Sequence, residues 1–422
     1  MSAVKKSIPL YIHIPFCRSK CSYCDFFSIP TACEKAVPDS YIDALKTDLE
    51  YRCSLYEIDS WRTVYVGGGT PSLLLPEQLA LLFSFVRNAV PGGIADDAEV
   101  TIEANPADIN RDFLSYIADA GVNRLSVGIQ SCCERVLKFI GRRADAETVL
   151  TALDCIGKHW KCGSDRRFSA DLIAGLPFLS DAVFLEGIDR IIRAGADHVS
   201  LYSLMIEEGT PLWKQVRSGD APCTDEEAER QWFLGKERLE KAGILQYEVS
   251  NFARPGFESR HNTAYWHMED FIGIGAGASG TVSDIRWTGV QSVKEYMAGW
   301  NEVRRGAASD VSGDTSSLLR ADSGGMRGVP EQAVPEEFEK LDEATREYEF
   351  LMMGFRLRSG VSASEYKRRF GKELPERLGA ENGLFSEWEN RGRAVRFQKD
   401  NDTFFALTAD GLMLLNRFLT EL

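Results

Sequence analysis

Short apolar runs rich in β-branched and aromatic residues recur through the first half of the chain, separated by stretches whose apolar positions return every three or four residues. The runs Leu10 to Ile14, Thr63 to Val66, Glu99 to Glu103, Arg124 to Ile129, Phe168 to Ile173 and Val199 to Leu204 predict strands. Between them, Leu45 and Leu49 lie one helical turn apart, as do Leu79 and Phe83. Val149, Leu153, Ile156 and Trp160 recur at the same spacing. These stripes read as core and need no cofactor to explain them. Strand and helix in alternation predict an α/β fold of parallel strands joined by helices, with too few units for a closed eight-stranded barrel.

The rhythm breaks over residues 304 to 337, which are rich in Gly, Ser, Asp and Pro and poor in periodic apolar positions. That composition predicts a flexible insertion at 301–338, separating a core at 1–300 from a C-terminal unit at 339–422. In the last unit, helical periodicity leads to two strand-like runs, Ala394 to Phe397 and Phe404 to Leu407, about an Asp-Asn-Asp turn, and then to a final helix. Helices followed by a hairpin predict a small winged-helix-like α+β domain. DNA binding does not follow from that shape.

With 44% hydrophobic and 10% aromatic residues among 422, the chain has the material for one large domain and a smaller second one. A net charge of -14 argues against nucleic acid, whose affinity comes mainly from phosphate neutralisation. No segment approaches the roughly 20 apolar residues of a membrane span, and the first residues lack a signal-peptide pattern, so a cytoplasmic location is expected. Cysteines 33, 53, 132, 133, 155, 162 and 223 form no paired framework and are expected to be free thiols.

Three other cysteines carry the chemistry. Cys17, Cys21 and Cys24 stand in YIHIPFCRSKCSYCDFFS with three and then two residues between them. Three thiolates suit an iron-sulfur cluster with one iron left open to an exogenous ligand, whereas electron-transfer clusters fill all four positions with protein ligands. Zinc, with His13 as a fourth ligand, is the rival metal. The polar residues Arg18, Ser19, Lys20 and Ser22 make buried structural thiols the weaker reading.

This stretch resembles the radical S-adenosylmethionine enzymes, and YIHIPFC in particular is similar to their coproporphyrinogen dehydrogenase and HemW branch, through most of residues 8 to 300. The resemblance implies a partial, laterally open (β/α)6 barrel, a 4Fe-4S cluster on Cys17, Cys21 and Cys24, and S-adenosylmethionine on the open iron. It carries over Tyr11, Tyr23, Gly68, Gly69 and Thr70 of GGGTP, Glu103 of EANP, Gln130 of GIQS, Arg142 of GRR and Asp171 of DLIAGLP as cofactor contacts. Each has an ordinary alternative as a salt bridge, cap or buried acid; their joint order favours the cofactor role. The resemblance also sets the segment Gly273 to Ser279 near the adenine, without nominating individual residues in it. One-electron reduction of the cluster would cleave the sulfonium bond to a deoxyadenosyl radical and methionine, with a flavodoxin or ferredoxin as donor.

Two departures select within that branch. The dehydrogenases carry a fourth cysteine two residues after the third, where this chain has Phe26, and they extend further upstream of the motif. Both features, with the segment His261-Asn262-Thr263-Ala264-Tyr265-Trp266, resemble HemW. His261 is accordingly the expected heme ligand, against the alternative of a hydrogen-bonded packing residue. The expected function is a heme chaperone delivering heme to acceptor proteins such as respiratory enzymes. The alternatives are oxidative decarboxylation of coproporphyrinogen III propionates and a radical methyltransferase acting on a tetrapyrrole.

Overall fold

The structure, a computed structural model, describes residues 6–309 and 336–422 apart from positions 34 and 223. Six strands lie side by side in parallel: β1 (Ser7–Ile14), β2 (Ser60–Gly68), β3 (Ile94–Ala104), β4 (Arg124–Gln130), β5 (Arg167–Ala174) and β6 (His198–Ser203). All six runs picked out by apolar patterning are present. Their alternation has a direct structural meaning, because successive side chains of a strand point to opposite faces. Leu10, Ile12, Val64, Val66, Val100, Ile102, Leu125, Val127, Phe168 and Leu201 pack into one large core. The intervening positions, Tyr11, Thr63, Tyr65, Glu103, Ser126, Asp171 and Ser200, are polar, and they share the concave side.

A short antiparallel pair, β7 (Leu245–Gln246) and β8 (Asn251–Ala253), extends the sheet beyond β6, and β9 (Ile272–Ile274) adds in parallel to β1. The order is β9-β1-β2-β3-β4-β5-β6-β8-β7, and its two ends are not joined, so the barrel is open at the side. The helices between strands bury the expected stripes: Leu45, Leu49, Leu79, Phe83, Val149, Leu153, Ile156 and Trp160 are all in the core. Three of the helices start at side-chain caps, with Asn110, Asp145 and Ser180 accepting from the backbone N–H three residues on.

A second, three-stranded antiparallel sheet joins β10 (Ser279–Val282), β11 (Ile285–Gly289) and β12 (Glu336–Lys340). The helix Val293–Ser309 and β12 therefore give regular structure to both ends of the segment expected to be a flexible insertion, while 310–335 lie outside the described residues. Glu336 is held by charge. The buried Arg52 donates to its Oε1 at 2.5 Å and to Asp48 Oδ1 at 2.7 Å.

The last unit has its own core, built on Leu351, Phe355, Trp388, Phe405 and Phe418. Its sheet runs β13 (Val361–Ser362), β15 (Asp402–Leu407), β14 (Ala394–Lys399), with the helices preceding the β14–β15 hairpin. It meets the barrel through Arg358, whose N–H donates to the Tyr247 carbonyl, and through Arg356, paired with Glu248 at 3.3 Å.

Candidate functional site

A pocket of about 490 Å3 opens at the C-terminal ends of the parallel strands. That is the end where loops of βα folds gather ligand-binding groups. The loop bearing Cys17, Cys21 and Cys24 forms its mouth. Phe16–Cys17 pairs with Ile29–Pro30 and closes this loop at the base. Ser22 anchors it further, donating to the Ile140 carbonyl and accepting from Leu212 N–H. All three thiols are free and half-buried, and Thr70 Oγ1 donates to Cys17 Sγ at 3.3 Å.

The walls are the concave-side positions of the strands. Glu103, on β3, accepts from the Tyr65 hydroxyl at 2.7 Å and from Gly68 N–H at 3.0 Å. Burial is the main cause that pushes its carboxyl up to about 7, with the neighbouring Asp171 adding to the rise. Asp171, on β5, is raised to about 6, again chiefly by burial, although it accepts from Ser200 and Ser126 and lies near Arg124 and Arg142. Beneath them the guanidinium of Arg124 is buried, with Nε and Nη1 unpartnered.

Arg142 closes the wall. Its Nη1 donates to Cys21 Sγ at 3.6 Å and its Nη2 to the Gly128 carbonyl, while its Nε is buried without a partner. Tyr23 lies against both Arg142 and Cys21 and also faces the pocket. Gln130 sits at a register shift between β4 and β5 with φ of 63°, a left-handed backbone that few non-glycine residues adopt. That bulge turns its side chain into the pocket.

The glycine turn has a packing reason as well as a ligand-binding one. Gly68 has φ of 115°, and a Cβ there would stand 2.5 Å from the His13 ring. Gly68, Gly69 and Thr70 line the pocket. So do Asn105, Gly128, Arg143, Tyr202 and Ser203, which sequence reasoning missed. The signal for Tyr202 and Ser203 was available, since they end the sixth predicted strand.

Three residues singled out in the sequence have partners of their own here. Tyr11 is not among the lining residues: its hydroxyl is held by His13 Nδ1 at 2.8 Å, and its ring lies against that of Tyr65, which holds Glu103. His13 has both nitrogens engaged, the other with the Phe27 carbonyl at 3.1 Å, and offers no lone pair to a zinc ion. His261 is 1% exposed, with Nδ1 on Thr63 Oγ1 at 2.7 Å and Nε2 on the Tyr265 hydroxyl at 2.6 Å. Burial holds its pKa down to about 3. In this conformation the imidazole is a packing residue with no nitrogen free for heme iron.

Of the seven cysteines expected to be free thiols, Cys33, Cys53, Cys132, Cys133, Cys155 and Cys162 are unpaired, and Cys223 lies outside the described residues. Among the described residues no helix is long and apolar enough to cross a membrane.

Comparison with known proteins agrees with this geometry. The radical SAM superfamily profile matches residues 11–191, and the HemN C-terminal domain profile matches residues 341–414. Coproporphyrinogen III oxidase (HemN) from Escherichia coli, described as a radical SAM enzyme, superposes with a TM-score of 0.76 at 20% identity, over 99% of this chain and 90% of that one. The heme chaperone HemW of Mycobacterium tuberculosis is 38% identical over 307 residues, covering 72% of this chain and 76% of that protein. HemW of Bacillus subtilis is 31% identical over 365 residues, covering 86% and 87%. Fold and site together define a radical SAM protein. Within that superfamily, the chain belongs to the HemW family.

Membership implies a 4Fe-4S cluster and S-adenosylmethionine, and the residues present fit both. Among the described residues no three His, Cys, Asp or Glu side chains draw together tightly enough for a single ion. Cys17, Cys21 and Cys24 line one pocket and are the thiolate set that such a cluster takes. The unpartnered Nε of Arg142 and the two buried carboxylates are the donor and acceptors that a zwitterionic cofactor requires.

Proposed function

We propose that this chain is a heme chaperone that binds heme and passes it to acceptor proteins, while carrying a three-cysteine 4Fe-4S cluster and exchangeable S-adenosylmethionine. The observation that carries the reading is the cysteine loop lying over a pocket walled by Glu103, Asp171 and Arg142, in a chain of the HemW family.

In this reading Cys17, Cys21 and Cys24 hold three irons. Glu103, presented by Gly68 and Tyr65, accepts from the cofactor's ammonium group, and Gly69 and Thr70 close around the same end. Arg142 pairs with the cofactor's carboxylate through its free Nε. Gln130 and Asp171 bond the ribose hydroxyls. When bound, the cluster supplies the electron for reductive cleavage of the sulfonium, drawn from an external flavodoxin or ferredoxin. Phe26, 72% exposed at the mouth, occupies the place of the dehydrogenases' fourth cysteine and leaves that position without a thiolate.

Anaerobic reconstitution tests the foundation. About four irons and four sulfides per chain are expected, as the cluster type requires. Alanine at Cys17, Cys21 or Cys24 should abolish the cluster, and alanine at Cys132 should not. Stoichiometric zinc without sulfide would overturn the reading.

A further inference from the structure

If His261 is closed off, heme iron needs another donor. The end of the same segment points to one. Tyr265 and Trp266 line a second cavity, a cleft of about 940 Å3 between the loop after the helix Arg260–Trp266, the β10–β11 hairpin and the helix Glu343–Gly354. Its volume lies near the top of the range for small-molecule sites, roughly 300–1,000 Å3, and it is larger than the pocket under the cysteines. Phe271 and Phe370 complete an aromatic lining, and the indole Nε1 of Trp266 is buried without a partner.

The helix Glu343–Gly354 presents Arg346, Glu349 and Met353 to this cleft, positions three and then four residues apart and so on one helical face. Glu349 is occupied by Arg286 at 2.5 Å. Arg368 and Arg369, also at the cleft, are paired with Glu365. Arg346 is exposed and makes no salt bridge among the described residues. It is a guanidinium available to an incoming carboxylate in a chain of net charge -14.

Elimination narrows the metal donor. Among the described residues no histidine or cysteine lines the cleft, the Tyr265 hydroxyl is taken by His261, and the carboxylates Glu269, Asp270 and Glu349 are paired with Arg62, Lys6 and Arg286. Two thioethers remain, soft ligands of the kind that bind heme iron. Met268 packs against the C-terminal core, whereas Met353 belongs to neither core.

We propose that this cleft seats the heme, with the Met353 thioether as an axial ligand to iron, Arg346 pairing with a propionate and the aromatic lining covering the ring. This rests on the chaperone reading and adds to it the place and the ligand. Two separate cavities also mean that heme and S-adenosylmethionine do not compete.

Titration of the full-length, reconstituted protein with ferric heme tests it. Met353→Leu keeps volume and helix propensity and lies outside both cores, so the fold is retained. It should lose the thioether-to-iron charge-transfer band and weaken heme binding roughly tenfold or more, the scale on which metal sites respond even to loss of an outer-shell partner. Met353→His should restore affinity with a histidine-type spectrum. Arg346→Gln should weaken binding and leave the spectrum unchanged. S-adenosylmethionine should not displace heme. A wild-type spectrum and affinity in Met353→Leu, or displacement of heme by S-adenosylmethionine, would overturn the inference while leaving the chaperone reading intact. No heme uptake by the unmodified protein would remove both.

Discussion

Arg142 Nη1 lies 3.6 Å from Cys21 Sγ, although 121 residues separate the two. One guanidinium thus touches the cluster loop on one side and faces the cofactor's expected carboxylate on the other. Its Nη2 is fixed by the Gly128 carbonyl, so the direction of the free Nε is set by the backbone of β4.

The first prediction tests that bridge. Arg142→Met should weaken the response of the reduced cluster's electron paramagnetic resonance signal to S-adenosylmethionine by about 10-fold or more, since a charge-assisted hydrogen bond contributes roughly 1.5–3 kcal/mol. Arg142→Lys should recover only part, because an ammonium cannot serve thiolate, carbonyl and carboxylate together. An undiminished response in Arg142→Met would remove the residue from the cofactor site.

A second prediction concerns pH. Burial raises Glu103 from its ordinary 4.5 to about 7, and the groups facing it are Tyr65, Asp171, Arg124 and the Gly68 N–H. An ammonium needs the ionised carboxylate, so cofactor affinity should rise with pH through about 7 and fall below it. Stability has the opposite sign. The folded protein holds the extra proton between about 4.5 and 7, so stability is fully present below that window and is lost as pH rises through it. Glu103→Gln should flatten the affinity profile and reduce the slope of the stability profile, whose remainder comes from Asp171, measured as S-adenosylmethionine titrations and as melting temperatures at pH 5 and 8.

Gly68→Ala isolates the turn. A left-handed backbone and a Cβ placed 2.5 Å from His13 should cost about 1–3 kcal/mol. A denaturant midpoint equal to that of the unmodified protein would show that the turn relaxes freely.

The legibility of the chain divides along physical lines. Strands β1 to β6 were readable because each alternates an apolar outer position with a concave one. Ile272–Ile274 was hidden in FIGIGAGAS, where Gly275 supplies the close approach needed beside β1 and the strand is too short for its alternation to stand out. Glu336–Lys340 reads EEFEK, and as a solvent-facing edge strand it carries charge in place of an apolar alternation. At the site, Tyr23, Gly68, Gly69, Thr70, Glu103, Gln130, Arg142, Asp171 and the three cysteines, distant in sequence, line one pocket. The packing of His261 was not legible, because residue type gives the ligand chemistry of an imidazole but says nothing of who occupies its nitrogens. Thr63, 198 residues away, is one of those partners.

That occupancy gives a fourth prediction. His261→Ala leaves the hydroxyls of Thr63 and Tyr265 without their partner in the core and should destabilise the protein by about 1–3 kcal/mol for each orphaned group. Tyr265→Phe removes one of the two bonds and should cost less. In folded His261→Ala protein the position of the heme absorption band should be unchanged; a shifted band would return the histidine to the iron.

The central claim is heme delivery, and one preparation decides it. Anaerobically reconstituted protein is loaded with heme and mixed with an apo-acceptor, and a second portion is given coproporphyrinogen III, S-adenosylmethionine and a reductant. Heme should be retained and then transferred, with no protoporphyrinogen IX formed. Several turnovers of decarboxylation without heme retention would contradict the account and assign the chain to the dehydrogenases.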